Sequence, residues 1–296
     1  MHSDVMRPPM SLQQLFDLMP VGGTVLSAGG TAGAGAALTP LMRPISCAWF
    51  MLGSAAMVEI GLTAHPDCIV LDRQHGLWER TALEAAVGIA RHRVPVVVRV
   101  ADYTPGAISE ALDAGACSVL VPMVETIEQA EAAVRASRYP PVGTRSAGGV
   151  RPLLGGTRMM RDDGVWSSVG AMIETRYGVE NVEAIAAVSG LGYLFIGTGD
   201  LAMSHGDYRD LDQGDRPELQ SRVEADCLRV LRAAHAHGKP CGIFTTRLDD
   251  AVAKWRAGFD WVVACSDIDA ARKGMSQACA AMQDARDATD AAGALR

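Results

Sequence analysis

The chain lacks what several functional classes need. Its seven cysteines (Cys47, Cys68, Cys117, Cys227, Cys241, Cys265 and Cys279) are odd in number and scattered. No C-x-x-C pair occurs, so neither a disulfide framework nor a zinc site is expected, and a reducing cytoplasm suits them. No apolar run approaches the roughly 18 residues of a membrane span. Met1 to Met10 has two prolines and no apolar centre, so it does not read as a signal peptide. The Gly/Ala-rich stretch Val21–Leu38 is not followed by G-K-[ST] and has no dinucleotide pattern between a strand and a helix. It reads as a flexible loop rather than a phosphate cradle. Excess positive charge is missing too: the net charge is −7 and the pI about 5.5. Nucleic acid and membrane are therefore not expected as partners, although local arginines can still hold an anionic substrate.

What is present is ordinary globular material, 296 residues with 49% hydrophobic and 21% charged side chains. Ser11 to Met19 has the pattern of a short helix, with Leu12, Leu15, Phe16 and Met19 on one face. From Ile45 onward, short apolar runs alternate with helical periods. Strands are predicted at Ser46–Leu52, Cys68–Asp72, Val94–Val100, Ser118–Pro122, Gly170–Glu174, Tyr193–Gly197, Pro240–Phe244 and Asp260–Ala264. Near-continuous apolar character is what strands covered on both faces require. Ile127, Ala130 and Val134 mark one helix face, and Val223, Cys227, Val230, Leu231 and Ala234 another. Ala114-Gly115 and Ala257-Gly258 read as helix ends just before strands. Eight strand–helix units predict an α/β fold, a (β/α)8 TIM barrel in a single domain. An open doubly wound sheet is the alternative, but its glycine fingerprint is absent. The domain reading is an N-terminal extension over 1–44 and a barrel over 45–296 whose C-terminal stretch, Asp267–Arg296, forms the eighth helix and a tail. Arg138–Ser168 reads as a long loop that packs at the barrel's N-terminal rim.

Barrels of this kind do chemistry at the C-terminal ends of their strands. Leu71-Asp72-Arg73-Gln74-His75-Gly76 puts Asp72 and His75 just after the second strand. Histidine suits proton transfer near neutrality; a merely capped turn is the alternative. Glu174 and Asp200 end adjacent strands, in Met172-Ile173-Glu174-Thr175 and Phe195-Ile196-Gly197-Thr198-Gly199-Asp200-Leu201. Two converging carboxylates suit a hard divalent cation; capping or salt-bridged carboxylates are the alternative. Arg99 ends an otherwise apolar strand and needs an anionic partner, either a substrate oxygen or a barrel carboxylate. Trp49 reads as pocket wall or core. Asp113, at a helix end, reads as a surface carboxylate. His65, His92, His235 and His237 read as solvent-facing or capping residues.

Six ordered motifs resemble the HpcH/HpaI aldolases. They are Asp72-x-Gln74-His75-Gly76, Val97-Val98-Arg99, Val121-Pro122-Met123-Val124, Arg138-Tyr139-Pro140-Pro141-x-Gly143-x-Arg145, Ile173-Glu174-Thr175 and Phe195-Ile196-Gly197-x-x-Asp200-Leu201, within Arg43 to Met282. The resemblance implies a class II pyruvate aldolase, similar to 4-hydroxy-2-oxoheptanedioate aldolase. Such an enzyme would use a divalent metal (Mg2+, Mn2+ or Co2+) to cleave a 4-hydroxy-2-keto acid to pyruvate and an aldehyde. It further implies metal ligands at Glu174 and Asp200, a histidine base at His75 and an enolate-stabilising Arg99. Asp113 would support the histidine across a subunit contact in a homohexamer, a trimer of dimers. Thr198, Gly199 and Asp200 would offer backbone contacts to the keto acid. Two departures bear on substrate choice: Gln74 stands where the family often has glutamate, and Met172 where it has glutamine. A CoA-thioester lyase of the citrate-lyase-β type and a non-catalytic metal- or keto-acid-binding barrel are the alternatives.

Overall fold

The computed structural model describes residues 12–17, 45–161, 167–206 and 217–294. The Val21–Leu38 segment, Ser11 and most of the 1–44 extension lie outside the described residues. The elements in order are α1 Leu12–Asp17, β1 Ile45–Phe50, α2 Ala55–Leu62, β2 Cys68–Asp72, α3 Arg80–Ala90, β3 Val96–Arg99, α4 Pro105–Asp113, β4 Ser118–Val121, α5 Ile127–Ser137, α6 Val150–Arg161, β5 Ser168–Ile173, α7 Arg176–Glu180, α8 Val182–Ala186, β6 Tyr193–Ile196, α9 Thr198–Ser204, α10 Pro217–Ala236, β7 Cys241–Ile243, α11 Leu248–Arg256, β8 Trp261–Ser266 and α12 Asp267–Ala294. The eight strands are parallel and close into a barrel in sequence order, β1 pairing with β8. Each predicted strand has its counterpart, displaced by two residues at most at either end.

Strand alternation divides the core in two. Ile69, Leu71, Val96, Val98, Val119, Val121, Leu194 and Ile196 face outward against the helices. Cys47, Trp49, Cys68, Val70, Val97, Leu120, Met172, Phe195 and Trp261 fill the barrel interior. Leu12, Leu15 and Phe16 of α1 belong to the interior set and close the floor beneath Tyr193 and Trp261. Each such apolar side chain, fully buried, stabilises by about 1.5–3 kcal/mol.

Short capped turns fix the strand exits. Ser54 accepts from Met57 N at 3.3 Å, Thr104 from Ala107 N at 3.3 Å ahead of Pro105, and Thr175 from Gly178 N at 3.0 Å. Thr126 and Gln129 form a reciprocal capping box at α5. Such caps are worth about 1 kcal/mol each.

Two sequence expectations are corrected. The Arg138–Ser168 connection is not loop throughout, because α6 runs through it and is broken at Gly156 (φ 68°). Pro152 sits in its first turn, where a missing N–H costs nothing. The segment does lie at the N-terminal rim, where Arg145 meets Asp113 at the end of α4 and Arg138 meets Ser167 ahead of β5. His235 neither caps a carbonyl nor simply faces water. It bonds Asp260 at 2.8 Å, which also accepts from Cys241 N at 2.7 Å.

The last helix, α12, is a single run of 28 residues. Its first residue is anchored, since Asp267 accepts from Met51 N and Leu52 N at 2.9 Å each. Every side chain from Arg272 to Asp290 is exposed.

Candidate active site

Asp72 is the last residue of β2 and points into the barrel mouth, fully buried. Its carboxylate accepts five donors. Gln74 N and His75 N reach Oδ1 at 3.0 and 3.2 Å. Arg99 Nε reaches Oδ1 at 2.9 Å and Arg99 Nη2 reaches Oδ2 at 2.5 Å. Trp49 Nε1 reaches Oδ2 at 3.1 Å. Burial alone would raise this carboxyl, but the Arg99 guanidinium and the other donors outweigh it and hold the group below its ordinary range. Asp72 thus does two jobs. It caps the turn that carries His75, and it anchors Arg99 in a bidentate pair. It meets the His75 backbone, not the imidazole.

The Arg99 guanidinium is fixed on three sides. Asp72 takes Nε and Nη2, the Trp49 ring lies 5.1 Å from its centre, and Nη1 faces Met172 Sδ at 3.8 Å. A thioether is a weak acceptor, so Nη1 is the donor left for a stronger one. Trp49 itself packs against Phe195 and Phe244, with ring centroids at 5.8 and 5.2 Å. It is at once core, wall and hydrogen-bond donor.

Glu174 follows β5 and is fully buried. Met123 N donates to its Oε1 at 2.7 Å, while Oε2 has no partner and no access to solvent. Met123 carries a positive φ of 55°, a conformation uncommon without glycine and characteristic of functional sites. The sequence signal for it was Val121-Pro122-Met123-Val124, whose backbone role the residue types did not announce. Gly197 makes the close approach of Glu174 possible, since a Cβ there would stand 2.3 Å from Oε2. Burial, and after it the neighbouring Asp200 carboxylate, push the Glu174 carboxyl up to about 7, against the opposing pull of Met123 N and Arg99. Two carboxylates, one of them buried with a free oxygen, are donors of the hard kind that divalent cations take. Among the described residues no three His, Cys, Asp or Glu side chains cluster as a fuller metal cage.

The remaining candidates are placed as follows. His75 is exposed on the rim. Gln74 Oε1 beside it is buried and unpartnered. Thr198, Gly199 and Asp200 form the first turn of α9, where Thr198 Oγ1 donates to Phe244 O at 3.0 Å and the space beside Gly199 Cα is open. Asp113 is not brought to this site within one chain. It ends α4 at the opposite end of the barrel and pairs with Arg145 at 2.7 Å.

Residues 46–273 match the model of the HpcH/HpaI aldolase/citrate lyase family. The chain is 34% identical over 242 residues to the hydroxypyruvate/pyruvate aldolase of Chromohalobacter salexigens, covering 76% of this chain and 87% of that one. It is 34% identical over 241 residues to the 5-keto-4-deoxy-D-glucarate aldolase of Salmonella newport, covering 80% and 91%. Among solved structures it resembles a HpcH/HpaI aldolase/citrate lyase family protein of Burkholderia cenocepacia J2315, with a TM-score of 0.74, 30% identity and coverage of 81% and 95%. A closed parallel barrel with its polar groups gathered where the strands end, matched over most of its length to aldolases, places this chain in the HpcH/HpaI aldolase/citrate lyase family, as a carbon–carbon lyase.

Proposed function

We propose that the enzyme reversibly cleaves a 4-hydroxy-2-keto acid to pyruvate, or a related 2-keto acid, and an aldehyde. The observation that carries this reading is the buried, unpartnered Oε2 of Glu174 beside Asp200, within the field of an arginine held rigid by Asp72. Glu174 and Asp200 would hold Mg2+, Mn2+ or Co2+, and their hard oxygens suit any of the three. The cation supplies Lewis-acid polarisation of the keto oxygen.

The chain's own residues do the rest. Arg99 directs Nη1 at the oxygen where negative charge builds as the C3–C4 bond breaks. Because Asp72 and Trp49 hold it beforehand, no reorganisation is needed at that moment. His75, with no side-chain partner among the described residues, takes the C4 hydroxyl proton. The bonding pair then passes to the keto acid as an enolate and the aldehyde leaves. The same imidazole returns a proton to C3. The first turn of α9 orients the carboxylate of the keto acid. Met172 and Gln74 give the pocket a soft, uncharged side and shape the choice of acceptor.

We also infer a homohexamer, a trimer of dimers. The family resemblance suggests it, and one observation supports it: α12 leaves a long exposed face, with Met275 at 70% and Met282 at 59% exposure. A cytoplasmic setting is supported by seven free cysteines, two of them exposed.

The test is coupled pyruvate release from 4-hydroxy-2-keto acids, 5-keto-4-deoxy-D-glucarate among them, together with calorimetric Mn2+ binding. Wild type should turn over and bind the metal, and Glu174→Gln and Asp200→Asn should lose both. Unchanged Mn2+ affinity in both variants would place the metal elsewhere. Wild-type turnover by His75→Ala would remove the base from the scheme.

A further inference from the structure

The C-terminal face of the barrel repeats one feature around its opening. Each of the six exits from β2 to β7 presents one large apolar side chain to solvent: Leu77, Tyr103, Met123, Tyr177, Met203 and Leu248, at 41–74% exposure. At the opposite end, among the described helix-to-strand connections, only the long one between α5 and β5 exposes any. Single exposed apolar residues are normal on a protein surface and need no explanation. One at every exit of a shared opening is different, because apolar surface gathered in one place marks a binding surface.

This ring borders the reacting groups. Leu77 lies two residues beyond His75, its N–H on Met51 O at 2.7 Å. Met123 N donates to Glu174 Oε1 at 2.7 Å. Met203 is three residues beyond Asp200 on α9, a spacing that puts both on one side while Leu201 packs inward. Arg176 N donates to Ser204 Oγ at 3.0 Å, which sets the turn carrying Tyr177 against the end of α9. There is room: beside Gly199, next to Asp200, no atom comes within 4 Å of where a Cβ would stand. Free positive charge is scarce. The guanidinium groups of Arg73, Arg80, Arg99 and Arg247 are paired with Glu110, Glu84, Asp72 and Asp249. At these exits Arg176 is the guanidinium without a side-chain partner among the described residues.

We propose that the aldehyde partner of this enzyme is uncharged and apolar, aliphatic or aromatic, with its tail lying on this ring. The inference rests on the aldol reading and adds the chemical class of the second substrate. In the synthetic direction, C3 of the keto-acid enolate bonds to the aldehyde carbon, and the aldehyde oxygen takes the proton carried by His75. The tail beyond that carbon must leave the mouth past the ring. A carboxylate on it would meet one unengaged guanidinium and the mouth's own carboxylates. A hydrocarbon tail meets an apolar side chain at whichever of the six exits it takes, and transfer from water to that surface favours binding. Two of the six are methionines, whose flexible thioethers adapt to varied shapes. A protein partner seated on the same ring would close the route by which substrate enters, which favours a small ligand.

The test compares acceptors in the synthetic direction, with pyruvate and added Mn2+ held constant and the products separated by chromatography. Across acetaldehyde, propanal, butanal and pentanal, kcat/KM should rise about two- to fourfold per methylene, as for a CH2 group partly to wholly covered. 4-Methylpentanal should exceed 4-oxobutanoate, its near-isostere with a carboxylate in place of the isopropyl group, by about tenfold or more. Leu77→Ser and Tyr177→Ser, each at an exposed side chain, should lower kcat/KM for pentanal by about threefold or more, chiefly through KM. In both variants acetaldehyde turnover and metal-dependent proton exchange at the pyruvate methyl group should stay at wild-type rates. A flat series overturns the proposal, as does 4-oxobutanoate matching or exceeding 4-methylpentanal; loss of that activity in Arg176→Gln would then identify the anchor of its carboxylate. In either case continued exchange on pyruvate leaves the aldol reading standing, whereas absence of exchange in wild type overturns both. A fall in subunit number on Leu77→Ser or Tyr177→Ser, read by sedimentation, overturns the proposal in favour of a protein interface on the ring. Should a variant fail to fold, the wild-type series and the isostere pair decide by the same criteria.

Discussion

The two ends of the barrel interior are built to different rules. At the floor, Phe16, Tyr193, Phe195 and Trp261 stack with ring centroids between 4.8 and 6.2 Å apart. Polar groups there find partners within the chain: the Tyr193 hydroxyl meets Ser118 at 2.9 Å, Asp67 takes the Ser46 hydroxyl at 2.8 Å, and Asp260 takes Cys241 N and His235. Among the described residues, the orphan of the aromatic floor is a neutral N–H, Trp261 Nε1. At the mouth, Asp72 is oversupplied with donors while Glu174 Oε2 and Gln74 Oε1 have none. A neutral orphan is a modest structural cost. A carboxyl orphan, buried and lifted to about 7, is the kind of perturbed group that marks a functional site.

The contrast can be broken most forcefully at its centre. Asp72→Ala leaves Arg99 buried without its anion and should destabilise the protein by about 3–5 kcal/mol in chemical denaturation, with loss of turnover. A loss below 1 kcal/mol would mean that the pair is solvated. Phe16→Ala attacks the floor instead. It should lower stability by about 3 kcal/mol and leave kcat/KM of the folded enzyme unchanged. A fall in kcat/KM would show that the two ends are coupled.

Glu174 gives a pH signature of similar size. Its carboxyl titrates near 7 in the folded chain and at an ordinary 4.5 unfolded. Between those values the folded state holds a proton that the unfolded state has lost. Stability of the metal-free protein should therefore decline as pH rises from 4.5 to 7 and level off above, by about 3 kcal/mol in all. Glu174→Gln should flatten the decline, and saturating Mn2+ should oppose it most strongly at pH 8. A metal-free stability that rises over this window would contradict the placement of Glu174. The smallest expected effect is that of Trp49→Phe, which keeps an aromatic ring under Arg99 and removes one donor to Asp72. It should cost about 1–2 kcal/mol and lower kcat more than it raises KM.

The barrel was legible because a strand covered on both faces must be apolar throughout, and eight such runs stand at regular intervals from Ile45 onward. The positions of Asp72, Arg99 and Glu174 followed from the same pattern, since a polar residue ending an apolar run lies at the barrel mouth; Asp200 does not end β6 as the sequence suggested but sits in the first turn of α9. What each carboxylate does there was not legible. Asp72 could be read as a partner of the His75 ring, and only three-dimensional packing brings Arg99 and Trp49 onto it. In α6 the local signal pointed the wrong way: Gly155, Gly156 and Pro152 argue for loop, and the helix forms around a break at Gly156. Asp267, which ties β8 to the turn after β1, was hidden because its partners are backbone amides 215 and 216 residues away.

The central claim is that the barrel mouth forms an enolate. Proton exchange at the pyruvate methyl group, followed by NMR in D2O with metal-stripped protein and then with Mg2+, Mn2+ or Co2+, tests it most directly. The account predicts exchange that requires added metal and falls about 10²–10⁴-fold in His75→Ala, while that variant's stability stays within about 0.5 kcal/mol of wild type. Absence of exchange with every metal would contradict it.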